Sequence, residues 1–211
     1  MRPVMSEIAK ETPQAADIRQ AILGHATDLF HHYGFNKTNM ADIASRAEMS
    51  TANLYRYFKN KQAIGLACVA CYFEGERAAT EAALQAVDPA RPEERIRAVI
   101  RTAVRHIVDA MEAQPKMIEL AEFVSENPEG WALLQQLVVW RRRVLIAEIE
   151  RGNAAGVFDV ADPERTAIAL QHAIKAFHMP FSLARWKDKS TIDPELESVL
   201  DLVFQGIRSK R

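Results

Sequence analysis

Little in this sequence points to covalent or metal chemistry. Only two cysteines occur in 211 residues, too few for the disulfide framework of a small secreted domain, and nothing near them completes a metal-ligand spacing. Glycine-rich phosphate loops, a Gly-x-Ser-x-Gly elbow and a His-Glu-x-x-His pair are all missing, and the six histidines fall at no ligand spacing. Catalytic residues, cofactors and metals are therefore not expected, and the chain reads as a non-enzyme. No apolar run approaches the ~20 residues of a membrane span, and the first fourteen residues lack the apolar core of a secretory signal. A cytoplasmic protein without a membrane partner is expected. One-signed charge is also missing, because 27 Lys and Arg stand against 28 Asp and Glu, and this excludes an indiscriminate polyanion binder.

What the chain has in abundance is 3.6-residue periodicity. Residues 1–14 show none and read as a flexible arm, from which Arg2 or Lys10 could reach a minor groove or a phosphate. From about Ala15 to Tyr33, Ile18, Ile22, Ala26, Leu29 and Phe30 share one helix face. Gly34 ends that helix, and Phe35 turns back into a small core. A long helix from about Asn60 to Val87 joins this unit to the rest as a stiff lever. Cys68 and Cys71 lie on it three apart, where helical geometry keeps their Cβ atoms at about 5–6 Å, too far for an unstrained disulfide. They read as buried thiols, with a redox switch as the alternative.

After the break at Asp88, Pro89 and Pro92, Ile96, Val99, Ile100, Ala103, Val104, Ile107, Val108 and Met111 give a broad apolar face. A shorter helix over Lys116–Val124 and a long one over Trp131–Ala154 follow. Arg141, Arg142 and Arg143 sit about 100° apart around the latter, so they form no single anion patch and read as a solvated face with salt bridges. Asp162 and Pro163 open a helix directed towards Trp186 and broken at Pro180, and a last helix starts at Pro194 with Asp193 as its cap. The fold class is all-α: a three-helix unit over residues 15–61 and a larger helical bundle over residues 62–211.

The informative stretch is Thr38–Lys61. Met40, Ile43, Ala44 and Ala47 form a narrow stripe of mostly small residues, and Ser50 is placed to cap a second short helix from Thr51. In that second helix Leu54 and Phe58 face the core, while Thr51, Ala52, Asn53, Tyr55 and Tyr57 occupy its leading end and outer side. A helix that enters a major groove by its N-terminus needs such residues. Asn bonds adenine bidentately, Thr or Ala touches a thymine methyl, and phenols or a lysine serve phosphates. The candidate DNA-binding residues are Thr38, Asn39, Thr51, Ala52, Asn53, Tyr55, Tyr57 and Lys61. Charge agrees in sign, with eight Lys or Arg against six Asp or Glu in residues 1–65.

This run resembles the DNA-binding domain of the TetR family of transcriptional regulators. The matching residues are Arg19, Ile22, Ala26, Leu29, Phe30, Gly34, Phe35, Thr38, Ile43, Ala44, Ala47, Ser50, Leu54, Tyr55, Tyr57, Phe58 and Lys61. The resemblance implies a homodimer that binds a palindromic operator on double-stranded DNA through its N-terminal head. It also implies a C-terminal domain whose last two long helices pair with their copies and whose interior takes a small-molecule effector. The expected activity is repression relieved by a largely apolar effector.

Soft and aromatic side chains with a few polar handles suit such a pocket. The candidates are His106, Met111, Met117, Phe123, Trp131, Trp140, His172, Phe177 and His178. Two other readings stay open: a regulator switched by oxidation of Cys68 or Cys71, and a helical ligand carrier that no longer reads DNA.

Overall fold

Side-chain caps and prolines cut the chain into helices. The computed structural model describes residues 12–114 and 116–209, and their regular structure is entirely helical, apart from one isolated antiparallel bridge between Phe158 and Arg208. Helix α1 spans Pro13–Tyr33, with the Thr12 hydroxyl accepting from the Ala15 amide and Pro13 in the first turn. That helix takes in two residues assigned above to the arm, because Thr-Pro is itself a start signal. Residues 1–11, with Arg2 and Lys10, lie outside the described residues. Helices α2 (Met40–Arg46) and α3 (Thr51–Tyr57) follow, and α4 runs Lys61–Gln85 with Asn60 as its cap.

The head has its own core, built from Ile22, Ala26 and Phe30 of α1, Ile43 and Ala44 of α2, and Leu54 of α3, with Phe35 and Phe58 from the connections. It does not stop at residue 61. Ile64, Cys68 and Val69 of α4 belong to it, as do Leu120 and Val124 of α6 (Met117–Glu126). Burying a side chain such as Leu54 completely is worth about 1.5–3 kcal/mol, so these shared contacts bind head and body firmly.

The body is layered around α5 (Pro92–Ala113), whose eight expected apolar positions are all buried. Against it pack Leu145 and Ile149 of α7 (Pro128–Ala154), Ala167 and Leu170 of α8 (Pro163–Ala173), and Leu196, Leu200 and Phe204 of α11 (Ile192–Ile207). Two short helices, α9 (Lys175–His178) and α10 (Pro180–Leu183), lie between α8 and α11. The helix expected to reach Pro180 therefore ends earlier, at Ile174, for which the sequence carries no mark. Met179, ahead of Pro180, is extended at φ −99° and ψ 122°, as the proline ring requires of its predecessor. Helix α11 starts at Ile192 rather than Pro194, because a 3-10 turn over Lys189–Thr191, capped by Asp188, runs directly into it. Asp193 is thus no cap. It sits in the first turn and pairs with Arg105 of α5.

Two buried ion pairs fasten the lever to the body. Glu76 of α4 pairs with Arg141 of α7, whose Nε donates at 3.1 Å. Arg95 of α5 makes two bonds to Glu148 of α7, at 2.8 and 2.9 Å, and its Nη1 also donates to the Leu84 and Val87 carbonyls that close α4. The expected solvated arginine face is corrected here: Arg141 is buried, Arg142 donates to Gln171, and only Arg143 is exposed.

Candidate nucleic-acid interface

Two caps set the register of the helix-turn-helix. Asn39 Oδ1 accepts from the Ala41 and Asp42 amides at 2.8 and 3.0 Å, while Asp42 Oδ2 accepts from the Asn39 amide at 2.8 Å. This is a reciprocal capping box. Ser50 Oγ accepts from the Asn53 amide at 3.1 Å and starts α3. Between the two helices Glu48 takes φ 54°, a left-handed turn that a side chain adopts at some cost.

Helix α3 is held by its inner face and its far end, which leaves its leading end and outer side at the surface. Leu54 is wholly buried, and Arg19 of α1 donates to the Tyr57 carbonyl while its guanidinium lies 4.2 Å from the Phe58 ring centre. Ala52, Tyr55 and Arg56 are exposed, Tyr55 to 51%, and Thr51, Asn53 and Tyr57 are partly so. Tyr57 also packs on the head core, leaving less of its ring outside than Tyr55. Arg56 escaped the sequence reading. Its signal was its place one turn after Ala52, on the same exposed side.

Three candidates are engaged within the protein. Thr38 is 2% exposed and donates to the Gly34 carbonyl at 2.8 Å, so its hydroxyl has an internal partner. Asn39 serves as a cap, although its residue is exposed. The Lys61 ammonium donates to the Phe35 and Asn36 carbonyls at 2.7 and 3.2 Å and sits 4.6 Å from the Phe35 ring centre. Burial lowers its pKa, against the pull of Glu119. Helix α6 reaches the same turn. Glu119 accepts from the Asn36 amide, Lys116 donates to the His32 carbonyl, and Phe123 stacks on Phe35 with ring centres 4.6 Å apart.

The nine candidate ligand residues do not gather around one space. Phe123 belongs with the head core, Trp131 is 50% exposed, and His172 is exposed. Met111 and Phe177 are inside the body core, with Met117 packed against it. His106 packs against Tyr72 with ring centres 4.4 Å apart and planes tilted by 34°, Trp140 lies under the Arg77 guanidinium, and His178 is held by the Ile174 carbonyl. Two clefts of about 700 and 620 Å³ border α1 and α2 rather than the body interior. The thiols also part company. Cys68 is buried, accepts from Thr27 Oγ1 and has its pKa pushed up to about 11 by burial, whereas Cys71 is exposed. A thiol that holds its proton is a poor nucleophile, so the redox-switch reading has no support at Cys68.

The model of the bacterial regulatory proteins of the tetR family matches residues 22–68, and that of the tetracyclin repressor-like C-terminal domain matches residues 92–200. The chain belongs to the TetR family. It is 28% identical over 110 residues to an uncharacterized HTH-type transcriptional regulator, YezE, of Bacillus subtilis (strain 168). That alignment spans 51% of this chain and only 56% of YezE. A transcriptional regulator from Saccharomonospora viridis, solved in complex with choline, shares its fold with a TM-score of 0.71 and 21% identity, over 92% of this chain and 100% of that one. SmeT, repressor of the Stenotrophomonas maltophilia multidrug efflux pump SmeDEF, does so at 0.64 and 18%, over 91% of each chain. TetR proteins are transcriptional regulators, not enzymes. No helix among the described residues is long and apolar enough to cross a membrane.

Proposed function

We propose that this TetR regulator is a cytoplasmic homodimeric repressor that binds a palindromic operator and leaves it when a small, largely apolar effector enters the body. The observation that carries the reading is the presentation of α3: anchored through Leu54 and Arg19, with Ala52, Tyr55 and Arg56 facing outward. Thr51, Ala52 and Asn53 lead the helix and read base edges, while Tyr55, Tyr57 and Arg56 serve the backbone. Thr38, Asn39 and Lys61 act chiefly by shaping the head.

Dimerisation is supported by α11, where Leu202 is 71% exposed, and by α8, which exposes Ala169 and Ala173 one turn apart. An exposed large apolar residue on one helix and a small-residue strip on another suit symmetric helix-on-helix contacts. Two copies related by a two-fold axis read half-sites about 34 Å apart, which makes the operator palindromic. SmeT, named a repressor, and the choline-bound regulator lend the repression and effector parts of the reading their plausibility.

The test is selection of sheared genomic DNA by the purified protein at physiological salt, with molecular mass measured alongside. The expected result is an enriched palindrome bound by a dimer, and conversion to a monomer by Leu202→Arg. Absence of any enriched sequence overturns the DNA-reading role and favours a ligand carrier.

A further inference from the structure

Three buried side-chain polar atoms have no hydrogen-bond partner among the described residues: Tyr72 Oη, Arg77 Nε and Thr80 Oγ1. All three belong to nine consecutive positions of α4. Native interiors leave few such atoms, and here they collect on the helix that joins head to body. Tyr72, Glu76 and Thr80 are spaced four apart and share one face, Thr80 being only 1% exposed. Between the two orphan hydroxyls lies the Glu76–Arg141 pair, both members of which are buried.

The charges at this site already cancel. His178, which lies near enough to feel the Arg141 charge, is driven down to about 4 by burial and then by that cation, so it is neutral at physiological pH. Its Nδ1 sits 3.0 Å from the Ile174 carbonyl; a neutral ring that donates there keeps Nε2 as an acceptor. Tyr72 keeps its proton, because burial and then Glu76 raise its pKa well above the ordinary phenol value. Two of the three unmet atoms are hydroxyls, and the third, Arg77 Nε, belongs to a guanidinium whose charge Glu74 already pairs at 2.8 Å, so the demand left is for hydrogen bonds and not for charge. An anionic ligand would have to take Arg141 and strand buried Glu76; a cationic one would take Glu76 and strand Arg141. Either exchange leaves an unpaired charge in the interior and weakens binding on the order of a hundredfold or more.

Resting on the effector-responsive reading above, we infer that the effector is an uncharged molecule with an apolar body and a hydroxyl or carbonyl head, which binds against α4 by a hydrogen bond to the Tyr72 hydroxyl. The Glu76–Arg141 pair is the element that rejects charged analogues. Tyr72 lies between the head's share of α4 and its C-terminal anchor at Arg95, so occupancy acts on the lever directly.

The experiment uses the full chain and three probes that share one body, namely 1-octanol, octanoate and n-octylammonium, with affinities measured by calorimetry. Octanol is expected to bind at least tenfold tighter than either ion. Tyr72→Phe is expected to weaken octanol about tenfold, the loss of one buried hydrogen bond. It should not lower the melting temperature of the free protein, since the lost hydroxyl had no partner. Glu76→Gln leaves Arg141 cationic and is expected to turn the preference towards octanoate. A native protein that prefers an ion overturns the inference, as does octanol binding that ignores Tyr72→Phe, or no binding by any probe. In the first two cases an effector site still exists, and release of the selected operator fragment by the bound probe keeps the effector-responsive reading alive. Failure of all three probes with the operator still selected removes this inference alone.

Discussion

Glu119 of α6 accepts a hydrogen bond from the Asn36 amide at 2.9 Å, across 83 residues of sequence, and its carboxylate covers Gly34. Gly34 holds φ 94°, and a Cβ there would come within 2.5 Å of the Glu119 carboxylate. Two separate obstacles therefore oppose Gly34→Ala: the backbone conformation, worth about 1 kcal/mol or more, and the clash. In urea unfolding, Gly34→Ala should destabilise by about 2–3 kcal/mol. Glu119→Ala alone should cost about 0.5–1.5 kcal/mol, the net worth of the lost hydrogen bond, because the exposed Asn36 amide can turn to water. The double variant should lose less than the sum, because removing Glu119 removes the clash; strict additivity would show that the carboxylate does not lie over the turn.

On DNA, the exposed residues of α3 should separate by kind. Asn53→Ala is expected to cost about 1–3 kcal/mol on the selected operator and to relax preference at one base, whereas Arg56→Ala should weaken all sequences alike and lower the salt slope by about 1. Lys61→Met is expected to leave that slope unchanged and to destabilise the head by about 1 kcal/mol, since its ammonium bonds two carbonyls of the α1–α2 turn. A slope reduced by about 1 in Lys61→Met would return this lysine to a phosphate.

The head was legible because its signals are local: the stripe of Met40, Ile43, Ala44 and Ala47, the Ser50 cap and Leu54 all act within a turn or two of themselves. Residues whose roles depend on distant partners were not. Lys61 and Phe35 meet across 26 residues, Arg141 and Glu76 across 65, and Phe123 joins the head core with Leu120 and Val124 although α6 lies more than thirty residues beyond the end of α4. Periodicity says that a side chain faces inward, but not which core receives it. For the same reason the nine candidate ligand residues scattered once placed, and the orphan hydroxyls of α4 could not be foreseen, since Tyr72 and Thr80 look like any polar residues on an amphipathic helix.

The turn between α2 and α3 offers a stabilising change. Glu48 is the one described non-glycine residue with positive φ, at 54°, a conformation that costs a side chain roughly 1 kcal/mol or more. It is exposed, so no packing is lost on truncation. Glu48→Gly is expected to be neutral to stabilising by up to about 1 kcal/mol, because relief of the left-handed strain is partly offset by glycine's freedom in the unfolded chain. A melting temperature lowered by several degrees would show that the Glu48 side chain makes a contribution its exposure does not suggest.

Acid should weaken the body through His178. Its folded pKa lies at about 4 against an ordinary 6.5, lowered first by burial and then by Arg141. The unfolded chain therefore takes up this proton before the folded one does. The contribution of a neutral, buried His178 is complete above pH 6.5, is lost as pH falls from there towards 4, and does not change further below that. The linkage amounts to about 2 kcal/mol by pH 5, at the level of order of magnitude. Replacing His178 with Gln keeps a polar side chain of similar size and removes the titration. Urea unfolding at pH 7.5 and 5 should give a native protein that loses stability over this interval and a His178→Gln variant that loses about 2 kcal/mol less. Equal losses in the two proteins would place the acid sensitivity elsewhere and show that the imidazole is hydrated enough to take its proton in the folded state.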